Sequence, residues 1–266
     1  MIRNNLYALL DWIVRQNEDV QLLIFALHGL VVCALCIVAL RYVQRRVRKP
    51  SDYVPAGPCF VAVTTLFSLL LAFHASEVWN ANSRARQDFV LMDHYVHRLW
   101  QLASKTEVDS AEARKELVVF LKAVVDEEWL RDHNARASDT AVTALINLQA
   151  IAARLAKAMP DPNAQLMQGV LYDIARARAE KSSLSGAGPN YIAWTVIIAL
   201  GFVAHLSLMA VNLDKPRAAI TILVLFSVAT TFAYWAVAID ELPYRKISGY
   251  GLDTWRQLVA AAEKTT

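Results

Sequence analysis

Glycine is scarce in this chain, with 8 residues among 266, while 56% of the residues are hydrophobic. Soluble domains are usually less apolar, and a β-barrel would show short alternating segments separated by turn residues. The positive mean hydropathy, +0.31, also indicates a membrane protein. The composition therefore excludes an ordinary soluble domain and predicts an all-α membrane protein.

Cysteine is also rare, and Cys33, Cys36 and Cys59 lie in or beside apolar segments, where they form no disulfide framework. The sequence has no HExxH, G-x-S-x-G or P-loop motif, so we do not expect an enzyme. We expect no cofactor. The formal net charge is only +3, and we expect no nucleic-acid partner. The first apolar run is long enough to span a bilayer, so a cleavable signal is not expected.

The dominant feature is the stretch 60–102, which contains neither proline nor glycine. As one continuous helix it would be about 65 Å long, roughly twice the thickness of the hydrocarbon core. We therefore predict a helix that crosses the membrane over 60–79 and then projects from it.

Three further apolar runs predict spans over about 20–42, 191–211 and 218–239. Residues 1–19 predict a short amphipathic helix at the interface, or a simple lead-in to the first span. The predicted organisation is an N-terminal helix, first span and basic loop (1–59), the long helix (60–104), an extramembrane bundle (105–190), the third and fourth spans (191–239) and a C-terminal turn and helix (240–266).

The segment between the second and third spans predicts a helical bundle that continues the second span. Ser110, Ser138 and Asp161 are candidate N-caps, and Asp161 is followed by proline at the first helical position. The expected helices cover 111–132, 139–158 and 162–181, and a last amphipathic helix covers 252–262.

The two short loops between spans are basic, and the positive-inside rule places them in the cytoplasm. The termini and the bundle of this multi-pass membrane protein would then be extracytoplasmic. The basic residues are Arg41, Arg45, Arg46, Arg48 and Lys49 after the first span, and Lys215 and Arg217 between the last two.

Several motifs resemble the bestrophin-like family of bacterial membrane proteins, a domain of unknown function related to bestrophin channels. They are LLLAFHASEVWNANSRARQ, DEEWL, IARARAE, PNYIAW and AIDELPYRKISG. The matching positions are Trp79, Glu128, Trp129, Arg178, Pro189, Trp194, Asp240, Pro243 and Gly249, whereas Asp93 stands where the family pattern leads us to expect Glu.

This resemblance implies four spans per subunit, a homo-oligomeric ring of five, and ion conduction along an axis lined by the second span. It also implies a bundle on the cytoplasmic side, which conflicts with the orientation from charge. We retain the charge-based orientation as the prediction.

A stripe of small and polar residues follows the second span at intervals of three or four: Thr65, Ser68, Ala72, Ser76, Asn80 and Arg84. Such a stripe lines a pore or packs closely against other helices. In a pore, Thr65, Ser68, Ala72 and Ser76 would line the path, and Phe67 or Leu71 could form a hydrophobic gate. Glu77, Asn80 and Arg84 would lie at its mouth, where a ring of Glu77 favours cations and a ring of Arg84 favours anions.

Histidines and carboxylates offer two other hypotheses. His28 and His74 are expected at similar depths in the membrane. They are a candidate proton-sensing pair, and the alternative is that both are neutral, hydrogen-bonded residues between packed helices. Asp93, His94 and His97 share a helix and, with Glu128 of the acidic run 126–128, are candidate metal ligands; solvated charges are the alternative.

We interpret the protein as an oligomeric ion channel or pore, whose partners are the bilayer, other copies of itself and inorganic ions. The alternative is a non-conducting membrane sensor or scaffold whose bundle binds a partner. A membrane hydrolase that uses the histidine–carboxylate group at 93–97 is a third, weaker hypothesis.

Overall fold

The computed structural model describes residues 2–46, 56–105, 111–129, 136–158, 162–186, 188–244 and 252–263. Throughout these ranges the regular structure is helical, which confirms the all-α fold class. The helices are α1 (Ile2–Arg15), α2 (Glu18–Arg46), α3 (Ala56–Lys105), α4 (Ala111–Ala123), α5 (Asp139–Ala158), α6 (Pro162–Gly186), α7 (Tyr191–Val211), α8 (Pro216–Ala238) and α9 (Leu252–Glu263).

Four of the helical stretches are long and apolar enough to cross a membrane. They are α2, α8, the stretch Gly57–Ser104 within α3, and the stretch Pro162–Val211 that contains α7. The predicted long helix is continuous, and it begins at Ala56, before Gly57 and Pro58 in its first turn. The four predicted spans are thus confirmed as helices.

The chain divides into two compact units. We call Met1–Trp79 with Gly188–Leu242 the membrane unit, and Asn80–Ala187 with Pro243–Thr266 the bundle unit. Helix α3 contributes residues to both.

In the membrane unit, α2 packs against α7 and α8, and α7 packs against α8. Two glycines allow close approach: a Cβ on Gly29 would overlap Thr231, and a Cβ on Gly201 would overlap the Tyr234 hydroxyl. Small residues at such crossings are typical of membrane helix pairs, where association depends on close van der Waals contact. The two glycines therefore set the separation of these helices.

In the bundle unit, α4 packs against α5 and α9, and α5 packs against α6. Ser138 caps α5 as predicted, since its hydroxyl oxygen accepts from the Ala141 N–H at 3.2 Å. The C-terminal helix belongs to this core, because Trp255 is fully buried and stacks on Phe89 with ring centroids 5.8 Å apart. The predicted caps Ser110 and Asp161 lie outside the described residues.

Two helix ends differ from the prediction. Helix α4 passes into a π-helical turn, Val124–Glu128, and regular structure stops at Trp129, whose backbone is extended and whose N–H donates to the Val124 carbonyl. Helix α6 continues to Gly186, because the Ser182 and Ser185 hydroxyls donate to carbonyls one turn earlier and are accommodated in the helix.

Replacing Gly201 by alanine should destabilise the membrane unit, because the new methyl group would displace the Tyr234 hydroxyl and press on Phe67. We expect a loss of about 1–3 kcal/mol, as for other overpacked cores. Thermal unfolding of the purified protein in detergent measures it. Gly57→Ala is the matched control, since nothing lies within 4 Å of its added Cβ; equal behaviour of the two variants would contradict the close approach.

Candidate conduction surface

The membrane-spanning part of α3 has two distinct faces. Phe67, His74 and Val78 are buried inside the membrane unit. The predicted stripe lies on the other side, and its members Thr65, Ser68, Ala72 and Ser76 are all exposed on the single subunit. The stripe is therefore not buried by packing against the other spans of its own chain.

Helix α3 is also the least enclosed of the four spans. In its most apolar window, 17% of the residues are buried within the subunit, against 28–33% in the other three. An uncovered face of small and polar residues on a membrane span is suited to contact with water or with other protein. Its exposed face is the surface on which a conduction path would form.

Both residues of the predicted hydrophobic gate contact the interior of the subunit. Phe67 is 4% exposed, with its ring centroid 6.2 Å from those of both Phe226 and Tyr234. Leu71 is half-buried and packs on the same core. Both side chains complete the interior of the subunit, so neither is available to a path along the stripe. Leu66, Leu69, Leu70 and Phe73 are exposed apolar residues of the same helix, and Leu69 and Phe73 directly follow the stripe residues Ser68 and Ala72.

The predicted mouth residues are exposed. Glu77 follows the stripe within one turn, and Asn80 and Arg84 continue along α3. Asn80 makes a further interaction within the chain. Their accessibility is compatible with the predicted roles, which remain predictions.

His74 pairs with Glu241 rather than with His28. Its Nε2 lies 3.3 Å from Glu241 Oε2, and both side chains are almost fully buried. The other carboxylate oxygen of Glu241 accepts from the Asn190 N–H at 3.1 Å. The Trp194 ring stands edge-on to His74, with centroids 5.4 Å apart. The pair thus joins α3 to the segment that follows α8, within the membrane unit.

The other two membrane histidines have different surroundings. His28 is half-buried, with its ring 6.2 Å from that of Tyr234. His205, for which the sequence offered no partner, lies 2.7 Å from the Gly201 carbonyl and 2.9 Å from the Ser227 hydroxyl. A carbonyl only accepts, so Nδ1 carries a proton, and in the neutral ring Nε2 then accepts from the serine hydroxyl. His205 connects α7 to α8.

The four candidate metal ligands do not form one group, although His97 Nδ1 lies 3.4 Å from Asp93 Oδ1. Asp93 accepts a hydrogen bond from Trp255 Nε1 at 2.7 Å, and His97 Nδ1 lies 2.9 Å from the Asp93 carbonyl. His94 is exposed, and Glu128 has other partners. Within the described ranges, no group of three histidine, cysteine, aspartate or glutamate side chains has a metal-binding arrangement.

Glu128 is instead the centre of a buried charge cluster in the bundle unit. It forms an ion pair with Arg178, lies 3.3 Å from Lys181 Nζ, and accepts from the Ser138 N–H at 2.9 Å. Lys181 Nζ also lies 4.6 Å from the centroid of the Trp129 ring. Burial lowers the pKa of Lys181 because its ammonium is withdrawn from water, and Glu128 opposes that shift.

Glu241 and the partners of Glu128 are contacts that the sequence analysis missed. Glu241 follows the fourth span directly, and a carboxylate at the end of one span is a signal for pairing with a histidine on another. Arg178 and Lys181 are one turn apart on α6, so they share a face of that helix. That spacing indicates a carboxylate partner without identifying which one.

These features define a class of protein. It is a multi-pass helical membrane protein whose helical bundle continues from its second and third spans. The family model described as Bestrophin-like domain matches residues 27–245. The chain belongs to this family.

Solved structures show the same fold. A bacterial Bestrophin homolog from Klebsiella pneumoniae matches with a TM-score of 0.66 at 14% identity, over 91% of this chain and 98% of that one. A single-substitution variant of that homolog matches with a TM-score of 0.67 at 12% identity, over 94% and 99% of the two chains. No curated protein matches the sequence.

Removing the carboxylate of Glu128 should destabilise the bundle strongly, because Arg178 and Lys181 would stay buried without a counter-charge. For Glu128→Gln we expect a loss of about 3–5 kcal/mol, the usual cost of breaking a buried pair. Glu112→Gln is the control: its pair with Arg154 is exposed, and we expect less than about 1 kcal/mol. Thermal unfolding followed by circular dichroism tests this, and similar losses for both variants would contradict it.

Proposed function

We propose that the protein is an oligomeric membrane ion channel in which the exposed face of α3 lines the conduction path. The family match supports a membrane ion channel. The observation that carries the assignment to α3 is the exposure of Thr65, Ser68, Ala72 and Ser76 along one face of a membrane span.

Assembly into a ring gives that face a suitable environment. Cyclic symmetry places the same surface of every copy around one axis, so a single stripe becomes a continuous wall. Hydroxyl groups at Ser68 and Ser76 can then face water instead of lipid. A ring of five copies is what the resemblance to bestrophins implies.

Leu69 and Phe73 form the hydrophobic constriction in this proposal. They are 47% and 62% exposed, and they are one turn apart on the stripe side of α3. A ring of apolar side chains narrows a pore and gates it by dewetting. They replace Phe67 and Leu71, whose side chains pack inside the subunit.

Glu77, Asn80 and Arg84 form the mouth of the path. Glu77 is the anionic group nearest to the stripe, and Arg84 is the cationic group further along the helix. Rings of opposite charge at two levels attract opposite ions, so the measured ion preference identifies the level that dominates.

The proposed orientation follows from the basic ends of α2 and α8. Arg41, Arg45 and Arg46 end one helix, and Lys215 and Arg217 flank the start of the other. By the positive-inside rule these ends are cytoplasmic, in a bacterial inner membrane. The bundle and both termini are then extracytoplasmic.

Purified protein in planar bilayers should conduct ions, and Phe73→Ala should increase the unitary conductance by widening the constriction. Glu77→Gln should reduce the preference for cations, because it removes a ring of negative charge. Leu225→Ala is the matched control: Leu225 is 64% exposed on α8, and its loss should leave conductance unchanged.

Silence across voltage and pH, from protein shown to be assembled, would overturn the channel assignment.

Cross-linking of a Ser68→Cys variant distinguishes a pore from a non-conducting scaffold. Links between α3 helices of different copies support a pore, whereas their absence in an intact oligomer favours a scaffold.

Orientation can be measured with Thr140→Cys in a Cys59→Ser background. Thr140 is exposed on α5, Cys33 and Cys36 are buried, and Cys59 is exposed. In intact cells, a membrane-impermeant maleimide should label this cysteine before lysis. Labelling only after lysis would place the bundle in the cytoplasm and contradict the charge rule, without bearing on conduction.

A further inference from the structure

A second surface of the membrane unit lies between α2 and α8. It is a groove of about 590 Å³, within the range of pockets that hold organic ligands. Ala26 and Ala34 form part of one wall, Val224 and Val228 part of the other. Phe67 and the stripe of α3 are not among its lining residues, so it is separate from the proposed conduction path.

The groove offers its occupant no unsatisfied hydroxyl group. Two polar side chains line it, Ser227 and Thr231. The Ser227 hydroxyl is bonded to His205, and the Thr231 hydroxyl donates to the Phe25 carbonyl at 3.3 Å. The remaining lining is apolar, or glycine and cysteine. A hydrocarbon chain fits this surface, because it needs no hydrogen-bond partner.

One end of the groove is positively charged. Arg41 follows the lining residue Ala34 by seven positions, and Arg217 precedes the lining residue Val224 by seven. Seven residues are close to two helical turns, so each arginine lies on its groove face. Along the helix axes, Arg41 is about 6 Å beyond the lining residue Ile37, and Arg217 is about 10 Å beyond Val224. The Gln44 side chain donates to the Leu213 carbonyl at 2.6 Å, which brings these two helix ends together.

The surroundings of the two arginines are mainly basic. Arg45, Arg46 and Lys215 are exposed at the same helix ends, with Asp214 as the acidic side chain of the connecting turn. Basic pockets between membrane helices bind anionic lipid headgroups, and each basic residue near the surface adds attraction. A neighbouring apolar helix would fill the groove but would give these basic residues no anionic partner.

We propose that the groove between α2 and α8 binds an acyl chain of an anionic phospholipid, whose headgroup lies against Arg41 and Arg217. Charge complementarity selects the headgroup, and the apolar walls hold the chain. This site is independent of the proposed conduction path, and lipid bound there would stabilise the α2–α8 pair.

Retention of phosphatidylglycerol and phosphatidylcholine with identical chains tests the proposal. The purified full-length protein is exchanged into nanodiscs of equal lipid mixture, then extracted, and its bound lipid is counted by native mass spectrometry. We expect a clear preference for phosphatidylglycerol. The double variant Arg41→Gln/Arg217→Gln should lower that preference by on the order of fivefold for each arginine.

Two matched controls make the test specific. Arg46→Gln/Lys215→Gln removes the same charge from another face of α2 and from the N-cap of α8, and it should keep the preference. Ala34→Phe fills the groove and should lower retention of both lipids, whereas Leu35→Phe, at an exposed position outside the lining, should not. Circular dichroism and the eluted mass show that each variant is folded and assembled.

Equal retention of the two lipids by the unmodified protein would overturn the proposal. So would an equal effect of the two double variants, which would show attraction by net charge alone. If Ala34→Phe changes the number of subunits and leaves lipid retention unchanged, the groove is an interface between copies, and the proposal is also wrong.

Discussion

The division of α3 into a buried face and an exposed face is the constraint on which the membrane unit depends. Phe67, His74 and Val78 complete the interior of the subunit, so the helix cannot rotate without opening that core. The opposite face carries hydroxyl groups and apolar side chains that the subunit leaves uncovered. Because the orientation of the helix is fixed by packing, the chemistry of its exposed face is fixed as well.

Several polar groups within the other spans form hydrogen bonds inside the subunit. His205 bonds Ser227, the Thr231 hydroxyl donates to the Phe25 carbonyl, and the Trp235 indole donates to the Glu18 carbonyl at 3.0 Å. In an apolar medium an unpaired polar group is costly, so each bond favours one register between helices. The glycines at the crossings then allow the backbones to approach. Close packing and internal hydrogen bonding thus support the same arrangement.

The bundle unit is organised around charge and aromatic rings. Glu128 stands at the end of a π-helical turn and meets Arg178 and Lys181 from α6, while Trp129 covers the lysine. A buried ion pair of this kind adds little to the stability of the native fold. It raises the free energy of other helix registers by more, because any register that separates the charges leaves one of them buried and unpaired. Three of the residues that carry the family resemblance, Glu128, Trp129 and Arg178, therefore have a structural role.

The sequence by itself determined the helices, because apolar runs, the cap at Ser138 and the lack of proline and glycine over 60–102 act locally along the chain. It also determined which residues form the polar stripe, since helical periodicity is a local property. Only the tertiary structure decided which face of α3 is buried, and so moved the candidate gate from Phe67 and Leu71 to Leu69 and Phe73. It likewise paired His74 with Glu241 and Glu128 with Arg178 and Lys181. These contacts join residues far apart in the chain, and local pattern carries no information about which distant segment packs against a given face.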